Sequence, residues 1–175
     1  ADSSAIRFEL TRSFTAAGQV EGMVVDQKNR LLYLGEEQGG IFAYNLDDAS
    51  KERTRIPMSG EENADLAYDI EGLAIYSRGN KHLLLASSQG NFRYAGFDIN
   101  DNYRYLGVFA IGNGSTCDGV EETDGIDIYS GAVGPQYPEG IFLAQDGFNY
   151  DEKGVKVPQN FKLIDWRKIE GILLK

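Results

Sequence analysis

Three carboxylate residues, each followed directly by glycine, recur along this chain at a nearly fixed spacing. They are Glu21, Glu71 and Asp124, so the two intervals are 50 and 53 residues. Each acid–glycine pair opens a short apolar run, although Asp and Gly are both depleted in β-strands. Carboxylates that lie together repel one another unless a cation offsets them, and their oxygens are the hard ligands that Ca²⁺ prefers. If the fold brings the repeats together, this pattern indicates a calcium site.

A second set of polar residues follows the second strand of each predicted repeat: Glu36 and Glu37, then Gln89, then Gln145 and Asp146. In an antiparallel meander, the start of strand one and the end of strand two lie on the same rim. The two sets are therefore expected to converge, together with Asp69 and Asp118. For any single copy, turn chemistry is the alternative, in which the acid only accepts backbone N–H bonds at a strand start.

A repeat period near 50 residues predicts propeller blades or a solenoid. Short aromatic strands separated by glycine-rich and asparagine-rich turns give about four antiparallel strands per repeat, which is the pattern of a β-propeller blade. The sequence predicts an all-β, single-domain propeller of about three blades. Its parts are an outer strand at 5–15, a blade at 19–60, a blade at 67–112 and an incomplete blade at 122–175, which ends in a short amphipathic helix. Three blades do not close a wheel, so the chain is expected to be half of one.

Composition excludes several classes of protein. The 175 residues carry a net charge of -10, which argues against a nucleic-acid partner. The single cysteine, Cys117, excludes an intrachain disulfide. No apolar run reaches the roughly 18 residues of a membrane helix, so no membrane partner is expected. The lone histidine, His82, is predicted to be a solvated turn residue. Composition alone leaves the compartment open, and we expect a secreted protein, extracellular or periplasmic.

Over nearly its whole length the chain resembles the β-propeller phytases, the alkaline, calcium-dependent class. The matching stretches occur in order and with similar spacing at 21–23, 32–37, 69–73, 84–91, 123–127, 140–147 and 159–162. The resemblance implies a six-bladed propeller, of which this chain matches the C-terminal half. It also implies calcium-dependent release of phosphate from phytate (myo-inositol hexakisphosphate), with several Ca²⁺ ions on the top face.

The resemblance also implies roles for individual residues. The catalytic calcium cluster would comprise Glu21, Glu37, Asp69, Glu71 and Asp124, with Gln89 as a further catalytic residue and Asp118 as a further metal ligand beside them. Asp146 and Asn149 would serve a structural calcium. The family's N-terminal blades supply an Asp pair and the Lys and Arg residues that hold phosphate, and those blades are absent from this sequence.

Two other functions and two kinds of partner stay open at this point. The chain could be a non-catalytic calcium-binding propeller fragment that serves as an assembly module. A lactonase-type hydrolase on a calcium propeller is the other alternative, and the motifs argue against it. Because a half wheel exposes open flanks, we expect a partner. The partner is either a second chain, in a homodimer where residues 6–14 complete the other chain's last blade, or the missing N-terminal half.

Overall fold

A computed structural model describes residues 6–48, 50–115 and 117–175. In this part of the chain three antiparallel sheets follow one another. The first, in spatial order, contains β1 (Val20–Asp26), β2 (Leu31–Glu36), β3 (Gly40–Asn45) and β4 (Thr54–Arg55). The second contains β5 (Ile70–Arg78), β6 (Lys81–Ser88), β7 (Arg93–Asp98) and β8 (Arg104–Phe109). The third contains β9 (Ile126–Tyr129), β10 (Ile141–Asp146) and β11 (Asn160–Asp165), and helix α1 (Trp166–Leu173) follows it.

The sheets stack face to face, and their first strands are neighbours. Strand β5 contacts β1 on one side and β9 on the other. Each sheet then runs outward in chain order from its first strand, as the blades of a propeller do. The all-β class is confirmed, and the three stacked sheets have the arrangement of a partial propeller.

The second sheet lies in the middle and is buried on both faces. In β6, Leu84 and Ala86 join the apolar cluster shared with the first sheet, whereas Leu83 and Leu85 join the cluster shared with the third sheet and α1. Successive side chains of a strand point to opposite faces, so a strand between two cores must be apolar throughout. This explains the unbroken apolar run of the second repeat.

Helix α1 packs into the apolar cluster that the second and third sheets share. The Asp165 side chain caps it by accepting a hydrogen bond from the backbone N–H of Arg167 at 3.1 Å. Trp166, fully buried, stacks on Tyr76 of β5 with ring centroids 3.7 Å apart. Leu173 packs so closely on Gly96 of β7 that a Cβ there would lie 2.7 Å from the leucine Cδ1. No helix among the described residues is long and apolar enough to cross a membrane.

The prediction for His82 was wrong. Strand β5 continues to Arg78, so the turn is only two residues long and His82 lies inside β6. Its side chain is 2% exposed, with Nε2 2.8 Å from Asp26 Oδ2 in the first sheet and Nδ1 3.1 Å from Ser77 Oγ. The histidine therefore links the first two sheets at the end opposite the acid–glycine pairs.

The segment 6–14 forms no strand in the single chain. It has no ladder partner, and Ile6, Phe8 and Leu10 are each more than 80% exposed. Only its end is attached, where Phe14 packs edge-on against Tyr44 at 5.1 Å between centroids. Position 5, the first residue of the predicted strand, lies outside the described residues. Pairing of this segment with another chain remains a prediction.

Candidate metal centre

The first two acid–glycine pairs are sites of β-bulges. Pairing of β1 with β2 shifts register between Val20 and Met23, and pairing of β5 with β6 shifts between Ile70 and Leu73. In each case two residues, the acid and its glycine, lie opposite one residue of the partner strand. A bulge locally re-aims a side chain and disrupts the ladder. It therefore accommodates a carboxylate at the start of an otherwise apolar strand.

The glycines of the first two pairs admit the first strand of the next sheet. A Cβ on Gly22 would lie 2.0 Å from the carbonyl oxygen of Glu71, and one on Gly72 would lie 2.8 Å from that of Asp124. The Gly72 N–H also donates to this Asp124 oxygen at 2.8 Å. The first two acid–glycine pairs are thus each in backbone contact with the acid of the following repeat, so the three acids are drawn together.

Five carboxylates meet where these strands begin, and we call them the rim cluster: Glu21, Glu37, Asp69, Glu71 and Asp124. Carboxylate oxygens of Glu37, Asp69 and Glu71 all lie within 4.8 Å of one another. Backbone bonds fix the segments that carry them, because the Ile70 N–H donates to the Glu37 carbonyl at 3.1 Å and the Gln89 N–H to the Asp69 carbonyl at 3.0 Å.

Amide side chains join the outer members of the rim cluster to the centre. The Gln89 side-chain amide donates to Asp124 Oδ1 at 2.6 Å. The Gln19 amide donates to Glu21 Oε1 at 2.5 Å and to Glu37 Oε1 at 2.6 Å. Gln89 was predicted to lie here. Gln19 was not, and its one signal in the sequence is its position two residues before the first acid.

The electrostatics of the rim cluster favour a bound cation. Burial and the neighbouring carboxylates, Glu21 first among them, raise the pKa of Glu71 to about 7. Burial and Asp69 likewise raise the pKa of Glu37. Within the described ranges, no Lys or Arg forms a salt bridge with any of the five carboxylates. Clustered oxygen donors without a counter-charge fit a hard cation such as Ca²⁺.

Three predicted metal ligands lie in a different group, the lysine cluster: Lys162, Asp118, Asp146 and Asn149. The lysine Nζ lies 2.5 Å from Asp118 Oδ1, 3.0 Å from Asp146 Oδ2 and 3.2 Å from Asn149 Oδ1. Burial alone would lower the pKa of the lysine, but its hydrogen bonds to the two aspartates outweigh this and raise the pKa overall.

The polar residues expected at the ends of the second strands therefore divide between several places. Glu37, Gln89 and Gln145 lie at the rim, and the Gln145 side-chain oxygen accepts the Asp124 backbone N–H at 2.8 Å. Glu36 is 3% exposed and pairs with Arg53 instead. Asp146, next to Gln145, points to the other face of β10 and joins the lysine cluster.

Comparisons with known proteins agree on one family. A family model described as phytase matches residues 3–174. A curated relative, the 3-phytase of Bacillus subtilis (strain 168), is 41% identical over 159 residues. That alignment covers 90% of this chain and 41% of the relative, so the chain spans about two fifths of the relative's length. The match over almost the whole chain, together with the repeated acid–glycine strands that build the rim cluster, shows that the chain belongs to the phytase family.

Proposed function

We propose that this chain carries one part of the active site of a calcium-dependent phytase, a hydrolase that releases phosphate from phytate. The observation that carries the proposal is the rim cluster, five carboxylates with no paired Lys or Arg among the described residues. The Bacillus relative is a 3-phytase, which supports the choice of substrate. Phytate is densely anionic and would be repelled by the cluster alone, so a cation must mediate binding.

Calcium would supply the positive charge that holds phosphate groups and the acidity that activates water. Glu37, Asp69 and Glu71 would hold it, since their oxygens already converge. Glu21 and Asp124 extend the cluster on either side, and Gln19 and Gln89 keep these outer carboxylates in place. We also propose a secreted location, where free calcium reaches the roughly 10⁻⁴–10⁻³ M at which extracellular sites bind it.

The proposed site requires further blades. Gly22 and Gly72 each receive the backbone of the next first strand, whereas a Cβ on Gly125, the third member of the pattern, would meet nothing within 4 Å. An open groove begins there, lined by Gly125, Ile126, Asp127, Leu143 and Phe161. We propose that another blade's first strand packs against this flank. A second copy of this chain or a separate polypeptide could supply that blade.

The test is calcium-dependent phosphate release from phytate, measured for the assembled protein and for the isolated chain. Glu71→Gln keeps the volume of the side chain but removes a ligand charge, and we expect it to abolish turnover and to weaken calcium binding measured by calorimetry. Glu122→Gln, two residues from Asp124, is the matched control and should change neither. Equal losses in both variants would refute specific ligation by Glu71.

One observation favours a second candidate, a calcium-binding assembly module without activity of its own. Within the described residues, the rim cluster has no paired Lys or Arg that could position a phosphate group. Loss of such electrostatic partners commonly costs orders of magnitude in rate. Calcium binding without phosphate release, in both the isolated chain and the assembled particle, would favour this module over the enzyme.

A further inference from the structure

The lysine cluster has the polar composition of a cation site, but a side chain of the protein already fills it. Asp146 is fully buried and Asn149 is 7% exposed. The Lys162 ammonium group lies at hydrogen-bond distance from three side-chain oxygens, one each from Asp118, Asp146 and Asn149. An ammonium group has three donors and no acceptor, so these three contacts use its full capacity.

The remaining polar atoms of the cluster also have partners within the protein. Asp118 Oδ2 accepts the Tyr150 N–H at 2.6 Å, and Asp146 Oδ1 accepts the Glu121 N–H at 3.2 Å. The Asn149 amide nitrogen donates to the carbonyl oxygen of Pro158 at 2.6 Å. Each side-chain oxygen of these three residues therefore has a hydrogen-bond partner within the protein. This differs from the rim cluster, where the converging carboxylates have no cationic partner.

Calcium does not fit this arrangement. It requires six to eight oxygen ligands at about 2.3–2.6 Å, and here the three inward-facing oxygens are already bonded to Lys162. The Asn149 oxygen also accepts a hydrogen bond from the Asn160 side-chain amide at 2.9 Å. Binding a divalent ion would require the lysine to leave and the carboxylates of the buried Asp146 and the partly buried Asp118 to reorient.

We infer that the ammonium group of Lys162 is the resident cation of the third sheet and excludes calcium from the Asp118–Asp146–Asn149 site. The lysine extends from β11 and ties three separate parts of the chain together: the segment between β8 and β9, strand β10, and the loop after β10. The third sheet would therefore fold without metal, and calcium-dependent stability would come from the rim cluster alone. This inference does not depend on the proposed enzymatic activity.

The test uses a background in which the rim cluster is silenced by Glu37→Gln, Asp69→Asn and Glu71→Gln. With Lys162 intact, neither the melting temperature nor equilibrium dialysis should show any response to millimolar calcium. Lys162→Met in this background should melt roughly 10 °C lower in calcium-free buffer, because removing one partner leaves buried carboxylates without a counter-charge. Calcium should restore much of the loss by binding the vacated oxygens.

Lys168→Met is the matched control, because Lys168 is an exposed lysine on α1 and, in the part of the chain that the structure describes, forms no salt bridge with Asp118 or Asp146. It should leave the melting temperature unchanged. Two results for Lys162→Met would overturn the inference. The first is a melting temperature equal to that of the lysine-intact background, and the second is a lower melting temperature that calcium does not restore. If Lys162→Met does not fold, equilibrium dialysis of the lysine-intact background still shows whether calcium binds while the lysine is present. Calcium bound there, and lost in Asp146→Asn, would show that the lysine does not exclude the metal.

Discussion

At the scale of single residues, Glu71 is the side chain on which the site depends most. It lies on the bulge of β5, it is 7% exposed, and four other carboxylates raise its pKa in addition to burial. Its ionised form is costly in the metal-free protein and becomes favourable only when a cation arrives. In the proposed site, the residue would therefore couple proton binding to metal binding.

This coupling predicts a particular pH dependence of stability. The pKa of Glu71 is raised from 4.5 to about 7 in the folded chain. Its contribution to folding is therefore fully present below about pH 4.5 and is lost as the pH rises towards 7. In calcium-free buffer, wild type should lose melting temperature across this window relative to Glu71→Gln, whose amide stays neutral. In millimolar calcium the stabilisation by the metal should instead grow with pH. Parallel curves for the two proteins would contradict the assignment.

Residue identity alone could not reveal every partner. The repeat predicted the rim carboxylates because each copy carries the same local signal. His82 gave no such signal, since its partner Asp26 is 56 residues away and belongs to another sheet. Lys162 likewise lies 44 residues from Asp118. Buried pairs of this kind are fixed by how sheets stack, and a single sequence carries no pattern for that.

At the scale of elements, the first strands of the sheets are the parts that build the site. Bulges in β1 and β5 place Glu21 and Glu71, and the glycine that follows each acid lets the first strand of the next sheet approach. Strand existence and order were predictable from local alternation, turn residues and the period. The bulges and backbone contacts between sheets were not, because acid–glycine pairs are also compatible with simple turn chemistry.

We expect Gly22→Ala and Gly125→Ala to differ sharply in the isolated chain, although both replace a glycine that follows an acid. The new Cβ at position 22 would meet the Glu71 carbonyl oxygen at 2.0 Å, a backbone atom that cannot rotate away. Overpacking of this kind costs about 1–3 kcal/mol of unfolding free energy, and sometimes more. Position 125 has open space, so urea unfolding of Gly125→Ala should match wild type. Equal destabilisation would show that the strands do not approach as described.

At the scale of the whole molecule, the stack of sheets ends in two open flanks. On the first sheet, Met23 and Val25 of β1 are 64% and 49% exposed. On the third sheet, Phe161 and Leu163 of β11 are 66% and 52% exposed. The side chains of β5 and β6 that face the neighbouring sheets, by contrast, are buried between two cores. Exposed apolar side chains at both ends of a stack, beside an unpaired β11 edge, indicate surfaces that another blade covers.

We predict that the chain does not persist as a compact monomer at micromolar concentration. If a second copy supplies the missing blades, sedimentation should give a particle of twice the 19.3 kDa chain mass, because two half wheels related by a twofold axis close both flanks at once. In that particle Gly125 would receive the partner's first strand, as Gly22 and Gly72 receive theirs within the chain. Gly125→Ala should then weaken association at least tenfold without lowering the stability of the isolated chain.

Gly171→Ala, at a helical position with equally open surroundings, is the control and should associate normally. A soluble monomer that binds calcium at the rim cluster and keeps a single, sharp melting transition would show that the flanks need no partner. Association left intact by Gly125→Ala would show that the contact between copies uses a different surface.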